Sequence, residues 1–257
     1  MKLEPNEFEM EHQVTYYECD PPGFVTTGML INMAVLVSAK QSDSLQVGTD
    51  FVNDNGGGWV ITNYEINVND LPRIDEVVVL GTRATSYNRY FAFREFWVRD
   101  QSGHEYAHIA GMFVFMDFAS RKMAKIPASI IDPYHSTEVK RIQRIANPDA
   151  IEADEAVDSN QYRVRYYDID SNHHVNNSHY FDWMLDVLGA DFLKTHTLKK
   201  MNIKYAREIR YGQMVDSFAT VPQTDSQDTE LMTKHEIKVD NVLTTQANCW
   251  WIKRSQN

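Results

Sequence analysis

The chain carries one pattern twice. YYECDPPGFVTTG, beginning at Tyr16, aligns without gaps on YYDIDSNHHVNNS, beginning at Tyr166, so that Tyr16 pairs with Tyr166, Tyr17 with Tyr167, Glu18 with Asp168, Asp20 with Asp170 and Val25 with Val175. Such a repeat restricts the fold to two copies of one unit. An apolar helical stretch follows each copy, Met29 to Leu45 in the first half and Tyr180 to Leu193 in the second. Segments with the two-residue alternation of strands come next.

In the first half the strands are predicted at Gly58 to Asn69, Glu76 to Tyr87, Tyr90 to Arg99 and Glu105 to Asp117, with a tight turn at Asp100-Gln101-Ser102-Gly103. The second half predicts Met201 to Tyr211, Val215 to Gln223, Thr229 to Asp240 and Leu243 to Arg254, with Asp240-Asn241 turning the chain into the last strand. Strands joined by short turns after a single helix cannot be βαβ crossovers, so each half is α+β with an antiparallel sheet. The helix is apolar nearly all round, as in Leu30-Ile31-Asn32-Met33-Ala34-Val35, which predicts a sheet curled about it. Phe113-Val114-Phe115-Met116 is apolar on both strand faces and predicts a sheet covered on its other side too. Two units of roughly 100 to 130 residues with this content suggest two tandem hot-dog folds in one chain. The predicted division is residues 1–137, a linker at 138–159 and residues 160–257, with a short helix at Glu138 to Ala146. The fusion stands in for a homodimer of single units, and a homodimer of the whole chain remains open.

With 257 residues, 43% of them hydrophobic, the chain can build sizeable cores. Its net charge of −11 argues against nucleic acid as a partner. Two cysteines, Cys19 and Cys249, are too few for a disulfide framework and suit a reducing compartment. The N-terminal MKLEPNEFEMEHQ has no apolar signal core, and the most apolar run, Met29 to Val37, is about half of a membrane span. These features predict a cytoplasmic protein with no membrane partner.

The two copies differ where chemistry could occur. Asn172 aligns on Pro22 and His174 on Phe24, so only the second copy keeps an amide and an imidazole beside the shared Asp. Alternate residues of an extended chain face one way, which predicts that Asp170, Asn172 and His174 converge. Asn176 or Asn177 can cap the helix that follows, and first-turn N–H groups favour a developing negative charge. Turn and capping roles alone would account for Asn, Asp and Ser here, but a purely structural role would not need the asymmetry. Metal binding by His173, His174 and His179 with Asp170 is disfavoured, because the spacing fits no zinc pattern. No Gly-x-Ser-x-Gly elbow occurs, no cysteine has a nearby His, and Gly56-Gly57-Gly58 lacks the ending of a phosphate loop. No cofactor is expected.

The segment DSNHHVNNSHY, Asp170 to Tyr180, together with Gly58-Trp59-Val60-Ile61-Thr62, Trp97-Val98-Arg99-Asp100 and Lys125-Ile126-Pro127, resembles the acyl-acyl-carrier-protein thioesterases of plastids and bacteria. The resemblance covers nearly the whole chain and implies a double hot-dog fold. It carries active-site roles to Asp170, Asn172 and His174. A further Glu on a later strand falls on Glu208, in Tyr205-Ala206-Arg207-Glu208-Ile209. Ile209 stands where plant members commonly carry Cys, which excludes a thiol route here. His173 and His179 replace residues that are often Gln and Lys in relatives; they are expected to face solvent.

The resemblance implies hydrolysis of fatty-acyl thioesters on acyl carrier protein, in which the acyl group is linked through phosphopantetheine. Glu208 or Asp170, helped by His174, would activate water while Asn172 positions it; direct carboxylate attack through an anhydride stays open. The first half would hold the acyl chain. An acidic carrier needs basic ground, offered by Lys194, Lys199, Lys200, Lys204, Arg207 and Arg210 or by Arg121, Lys122 and Lys125; a solvated face accounts equally well for both groups. The alternatives are a hot-dog hydratase or dehydratase on acyl thioesters, and a non-enzymatic acyl-thioester binding protein.

Overall fold

The computed structural model describes residues 4, 6–141, 143–170, 174–221 and 230–254. Contacts divide the chain into two units, Met1–Val25 with Asn32–Ile145, and Thr26–Ile31 with Ala146–Asn257. In chain order the elements are β1 (Glu7–Gln13), α1 (Thr27–Ser44), α2 (Thr49–Asp54), β2 (Gly57–Val68), β3 (Val77–Tyr87), β4 (Phe91–Asp100), β5 (Glu105–Asp117), β6 (Lys122–Ala124), α3 (Ala128–Ile131) and β7 (Thr137–Glu138). They continue with β8 (Val157–Arg163), α4 (Asn177–Asp186), α5 (Ala190–Thr195), β9 (His196–Tyr205), β10 (Met214–Thr220), β11 (Glu230–Val239) and β12 (Val242–Lys253).

Each unit builds its sheet in the same order. The first runs β1-β3-β4-β5-β2 and the second β8-β10-β11-β12-β9, all antiparallel. The repeat therefore extends to topology, and it includes two strands, β1 and β8, that the alternation pattern did not reveal. The β11–β12 hairpin turns through Asp240 and Asn241, at φ 51° and 62°. Two successive positive φ values match the right-handed twist of a two-residue hairpin. In the β4–β5 turn the Asp100 carboxylate accepts the N–H groups of Ser102 and His104, and Gly103 takes φ 95°.

In the first unit α1 buries Met33, Ala34, Val37 and Gln41 along one stripe. Phe115 on the sheet packs in a cluster with Val47, Val52, Ile130, Ile131 and Tyr134, and the Tyr134 hydroxyl lies 2.7 Å from Ser42 Oγ of α1, which sets this cluster beside the helix. In the second unit the helical stretch is interrupted. Gly189 takes φ 79° between α4 and α5, a left-handed stop that only glycine adopts cheaply.

Two sequence expectations fail. No helix occupies Glu138 to Ala146 among the described residues. Thr137 and Glu138 instead pair in parallel with Ser86 and Tyr87, and the Val139 N–H donates to the Tyr87 carbonyl at 2.8 Å. The open end of β3 captures the chain in extended form, and Pro148 disfavours helix at the residue before it. The strand expected at Met201 to Tyr211 ends at Tyr205, because the N–H groups of Ala206 and Arg207 both turn to the Thr244 carbonyl, at 2.8 and 3.2 Å. Glu208 thus lies in the loop after β9 and not on a strand.

Each repeat segment begins with a single 3₁₀ turn, Tyr16–Glu18 and Tyr166–Asp168, closed by the carboxylate at its third residue. Glu18 accepts from the Thr15 N–H at 2.7 Å and hydroxyl at 2.9 Å, with His12 Nε2 at 3.0 Å. Asp168 accepts from the Arg165 N–H at 2.8 Å, Nη2 at 2.7 Å and Nε at 3.0 Å. The Asp168 side chain is only 1% exposed. Burial pushes its pKa up, but the Arg165 bonds and the nearby His179 outweigh that and hold it below the ordinary carboxylate value.

A depressed folded-state pKa contributes stability above the unfolded value, about pH 3.9, and that contribution is lost as pH falls through the folded pKa. Asp168→Asn is expected to lower stability at pH 7 by about 2 kcal/mol, the scale of a charged hydrogen bond. Urea midpoints of wild type and variant should converge as pH falls below about 4. Parallel curves from pH 7 to 3 would show that the charge of Asp168 contributes nothing.

Candidate active site

The second repeat segment folds back on itself. The Asp170 N–H donates to the His174 carbonyl at 3.0 Å, and Ile169 bridges Val175. This closure brings Asp170 Oδ1 to 3.9 Å from His174 Nδ1. The expected approach of Asp170 and His174 is thus present. At 3.9 Å they are an electrostatic pair that a small rotation would convert to a hydrogen bond. Asn172 and His173 lie outside the described residues.

Backbone bonds tie this loop down on both sides. The Asn176 N–H donates to the Asp168 carbonyl at 2.9 Å, and the Val175 N–H to the Ile209 carbonyl at 3.0 Å. His174 and Glu208 are therefore each one residue from the same hydrogen bond. Arg210 Nη2 stands 3.7 Å from Glu208 Oε2. A buried phenol, Tyr180, feels both carboxylates. Burial drives its pKa up, the Ile209 N–H pulls it down, and the charges of Glu208 and Asp170 raise it further. Sequence reasoning assigned no role to Tyr180, although it sits inside the quoted segment, and placed Arg210 only in a basic group, although it recurs as Arg73.

The two units share this scaffold bond for bond. Asn69 and Asp70 both donate to the Tyr106 carbonyl, as Ala206 and Arg207 do to Thr244. The Arg73 N–H donates to Glu76 Oε2 and the Arg210 N–H to Gln213 Oε1. Asp75, at φ 67°, donates to the Val14 carbonyl, and Gly212, at φ 81°, to Val164. The register places Glu208 on Leu71, Ile209 on Pro72 and Arg210 on Arg73. In the first unit the guanidinium of Arg73 lies 4.3 Å over the ring of Phe24, the counterpart of His174. One backbone thus carries Asp, His and Glu in the second unit, and Asp, Phe and Leu in the first.

The helix that follows is capped as expected: Asn176 is the N-cap of α4 and its side chain accepts the Ser178 N–H at 3.0 Å. The His179 N–H donates to the Asn176 carbonyl at 3.1 Å. His179 is not the solvent-facing residue expected. Its ring lies between Asp168, at 3.8 Å, and Asp182, at 3.4 Å, and stacks near Trp183.

Neither thiol is activated. Burial and the neighbouring Asp20 and Glu18 raise the Cys19 pKa, and complete burial raises that of Cys249. Among the described residues no cluster of three or more His, Cys, Asp or Glu is placed to hold a metal. No helix among them is long and apolar enough to cross a membrane.

Comparison with known proteins identifies the family. Residues 5–134 match the acyl-ACP thioesterase N-terminal domain and residues 151–253 the acyl-ACP thioesterase C-terminal domain. A solved structure described as a putative oleoyl thioesterase from Lactobacillus plantarum is 40% identical, with a TM-score of 0.93 over 97% of both chains. An acyl-ACP thioesterase from Bacteroides thetaiotaomicron, 20% identical over 96% of this chain and 98% of that one, shares the fold at a TM-score of 0.80. The chloroplastic palmitoyl-acyl carrier protein thioesterase of Arabidopsis thaliana is 26% identical over 175 residues, 65% of this chain and 42% of that protein. The chain spans about half the length of the curated relatives it matches. With both domain families matched in order on two tandem hot-dog units, the chain belongs to the acyl-ACP thioesterase family.

Proposed function

We propose that the protein hydrolyses fatty-acyl-ACP thioesters to free fatty acid and ACP, with Asp170, Asn172, His174 and Glu208 as the catalytic set. The observation that carries this reading is the exchange of side chains on a shared backbone: His174 for Phe24 and Glu208 for Leu71, beside an Asp that both units keep. A binding protein needs the slot but has no use for an imidazole and a second carboxylate gathered around one loop.

In this mechanism Glu208 or Asp170, with His174, takes a proton from water as its oxygen bonds to the thioester carbon; Asn172 orients the water. The C–S bond then breaks and sulfur leaves as thiolate. A thiol of pKa near 8.5 departs without a strong general acid. Two first-turn N–H groups of α4 are already taken up by Asn176, so the charge on the carbonyl oxygen falls to the N–H of Asn177 and the helix dipole. The first unit, with its inert Phe24 and Leu71, holds the acyl chain.

Thiol release from acyl-ACP should fall by roughly 10² to 10⁴ in His174→Ala and in Glu208→Ala, with melting temperatures near wild type. Release at the wild-type rate in both variants would sink the assignment. Tight binding of acyl-ACP by a wild type that releases no thiol would instead identify a non-enzymatic acyl-thioester binder.

The acidic carrier should meet the basic residues of β9. Lys199, Lys200 and Lys204 share that strand, whereas Lys194 lies 3.9 Å from Asp191. If these lysines recruit it, kcat/KM for acyl-ACP should drop several-fold between about 50 and about 300 mM salt, where screening shortens the Debye length. Acyl-CoA should respond less. Equal salt dependence of both substrates would place recognition elsewhere.

A further inference from the structure

Ile209 is held on both sides by the second repeat segment and its helix. Its carbonyl accepts the Val175 N–H at 3.0 Å, and its own N–H bonds the phenol oxygen of Tyr180 on α4. Val175 directly follows His174, and Glu208 directly precedes Ile209. The loop after β9 is thus pinned at one residue from two directions, by the backbone beside His174 and by a side chain of the helix that follows. About a single hydrogen bond a loop can pivot; two bonds at one residue fix its orientation.

Tyr180 is itself held. It is buried, with the Tyr205 ring edge-on at 5.2 Å and the Trp183 ring tilted at 5.8 Å. Packing of this kind leaves the phenol oxygen little freedom. Burial raises its pKa, and the charges of Glu208 and Asp170 add to that against the pull of the Ile209 bond, so at neutral pH it is an uncharged phenol. A buried tyrosine bonded to a backbone N–H is, taken alone, only a satisfied core residue.

The first repeat shows that the fold does not need this bond. It makes the same carbonyl contact, Val25 N–H to Pro72 at 3.0 Å. Tyr180, however, aligns on Leu30, which has no hydroxyl, and Ile209 on Pro72, which has no N–H. Donor and acceptor are absent together, in the copy that also carries Phe24 for His174 and Leu71 for Glu208. The bond therefore accompanies the imidazole and the second carboxylate, and the shared backbone forms without it. We propose that Tyr180 is a positioning residue for hydrolysis: through the Ile209 N–H its phenol oxygen holds Glu208 in place against the loop that carries Asp170 and His174. This inference rests on the thioesterase reading, with Glu208 in the catalytic set.

The bond can be removed from either end. Tyr180→Phe keeps the ring and deletes the acceptor. Ile209→Pro deletes the donor, with a residue that the same backbone already carries at Pro72. With acyl-ACP as substrate and thiol release followed, each variant should lower kcat by roughly tenfold to a hundredfold while KM stays within about twofold, the effect of misplacing a reacting group by a fraction of its reach. The two substitutions together should lose no more than either alone, because they delete one bond. In a Glu208→Gln background, Tyr180→Phe should cost little of the residual rate, since the group it positions no longer acts. A merely structural role would cost the same factor in both backgrounds. If either variant fails to fold, the other decides, measured with and without Glu208→Gln. Wild-type kcat in the folded variant, or an equal fold-loss in the two backgrounds, overturns the inference while the thioesterase reading stands. A wild type that releases no thiol overturns that reading, and the inference falls with it.

Discussion

The carboxylate of Asp168 is almost sealed from water and bonded by the backbone and guanidinium of Arg165, and the loop that carries Asp170 and His174 is built on it. Its own carbonyl receives the Asn176 N–H, which sets where α4 starts. From that anchor the chain must return across Asp170 and His174 to reach Val175. A charge buried this deeply holds one geometry, because losing any partner leaves an unpaired anion in a low-dielectric site. Glu18 closes the corresponding turn in the first unit through Thr15 and His12. The turn is thus common to both units, and the side chains that follow it are not.

This separation of scaffold from chemistry is the main consequence of the duplication. The loop after β9 and the loop after β2 share their backbone hydrogen bonds, including a positive-φ residue, although their side chains have little in common. Backbone bonds set position, and side chains can then vary without moving the loop. In the first unit an arginine rests on the Phe24 ring; in the second the equivalent arginine stands beside Glu208. Phe24 and Leu71 leave the first unit without the imidazole and second carboxylate that the other unit carries on the same backbone.

Arg83 and Arg94 show how burial alone can separate two residues of one type. Two guanidinium groups on adjacent strands meet opposite environments, one between carboxylates and one among neutral donors and acceptors. Side-chain type alone would treat them alike. Burial makes the difference, since a screened arginine needs little and an enclosed one needs an acceptor.

Much of this protein was legible as a string of residues. The repeat at Tyr16 and Tyr166, the strands β3 to β5 and β10 to β12, the Asp240-Asn241 hairpin and the asymmetry at His174 all follow from local periodicity, turn chemistry and internal alignment, which are properties of neighbouring residues. Contacts between distant residues were decided only in three dimensions. The bond from Val139 to Tyr87 turned an expected helix into strand, and the shared acceptor Thr244 ended β9 before Glu208. Both depend on which carbonyl happens to be open far along the chain, and no local pattern encodes that. Tyr180 between two carboxylates, Leu71 as the partner of Glu208 and the neutral surroundings of Arg94 belong to the same class. The sequence determined that one unit is written twice and where its polar groups differ; tertiary structure decided which of those groups meet, because meeting depends on hydrogen bonds and burial between residues that the sequence keeps apart.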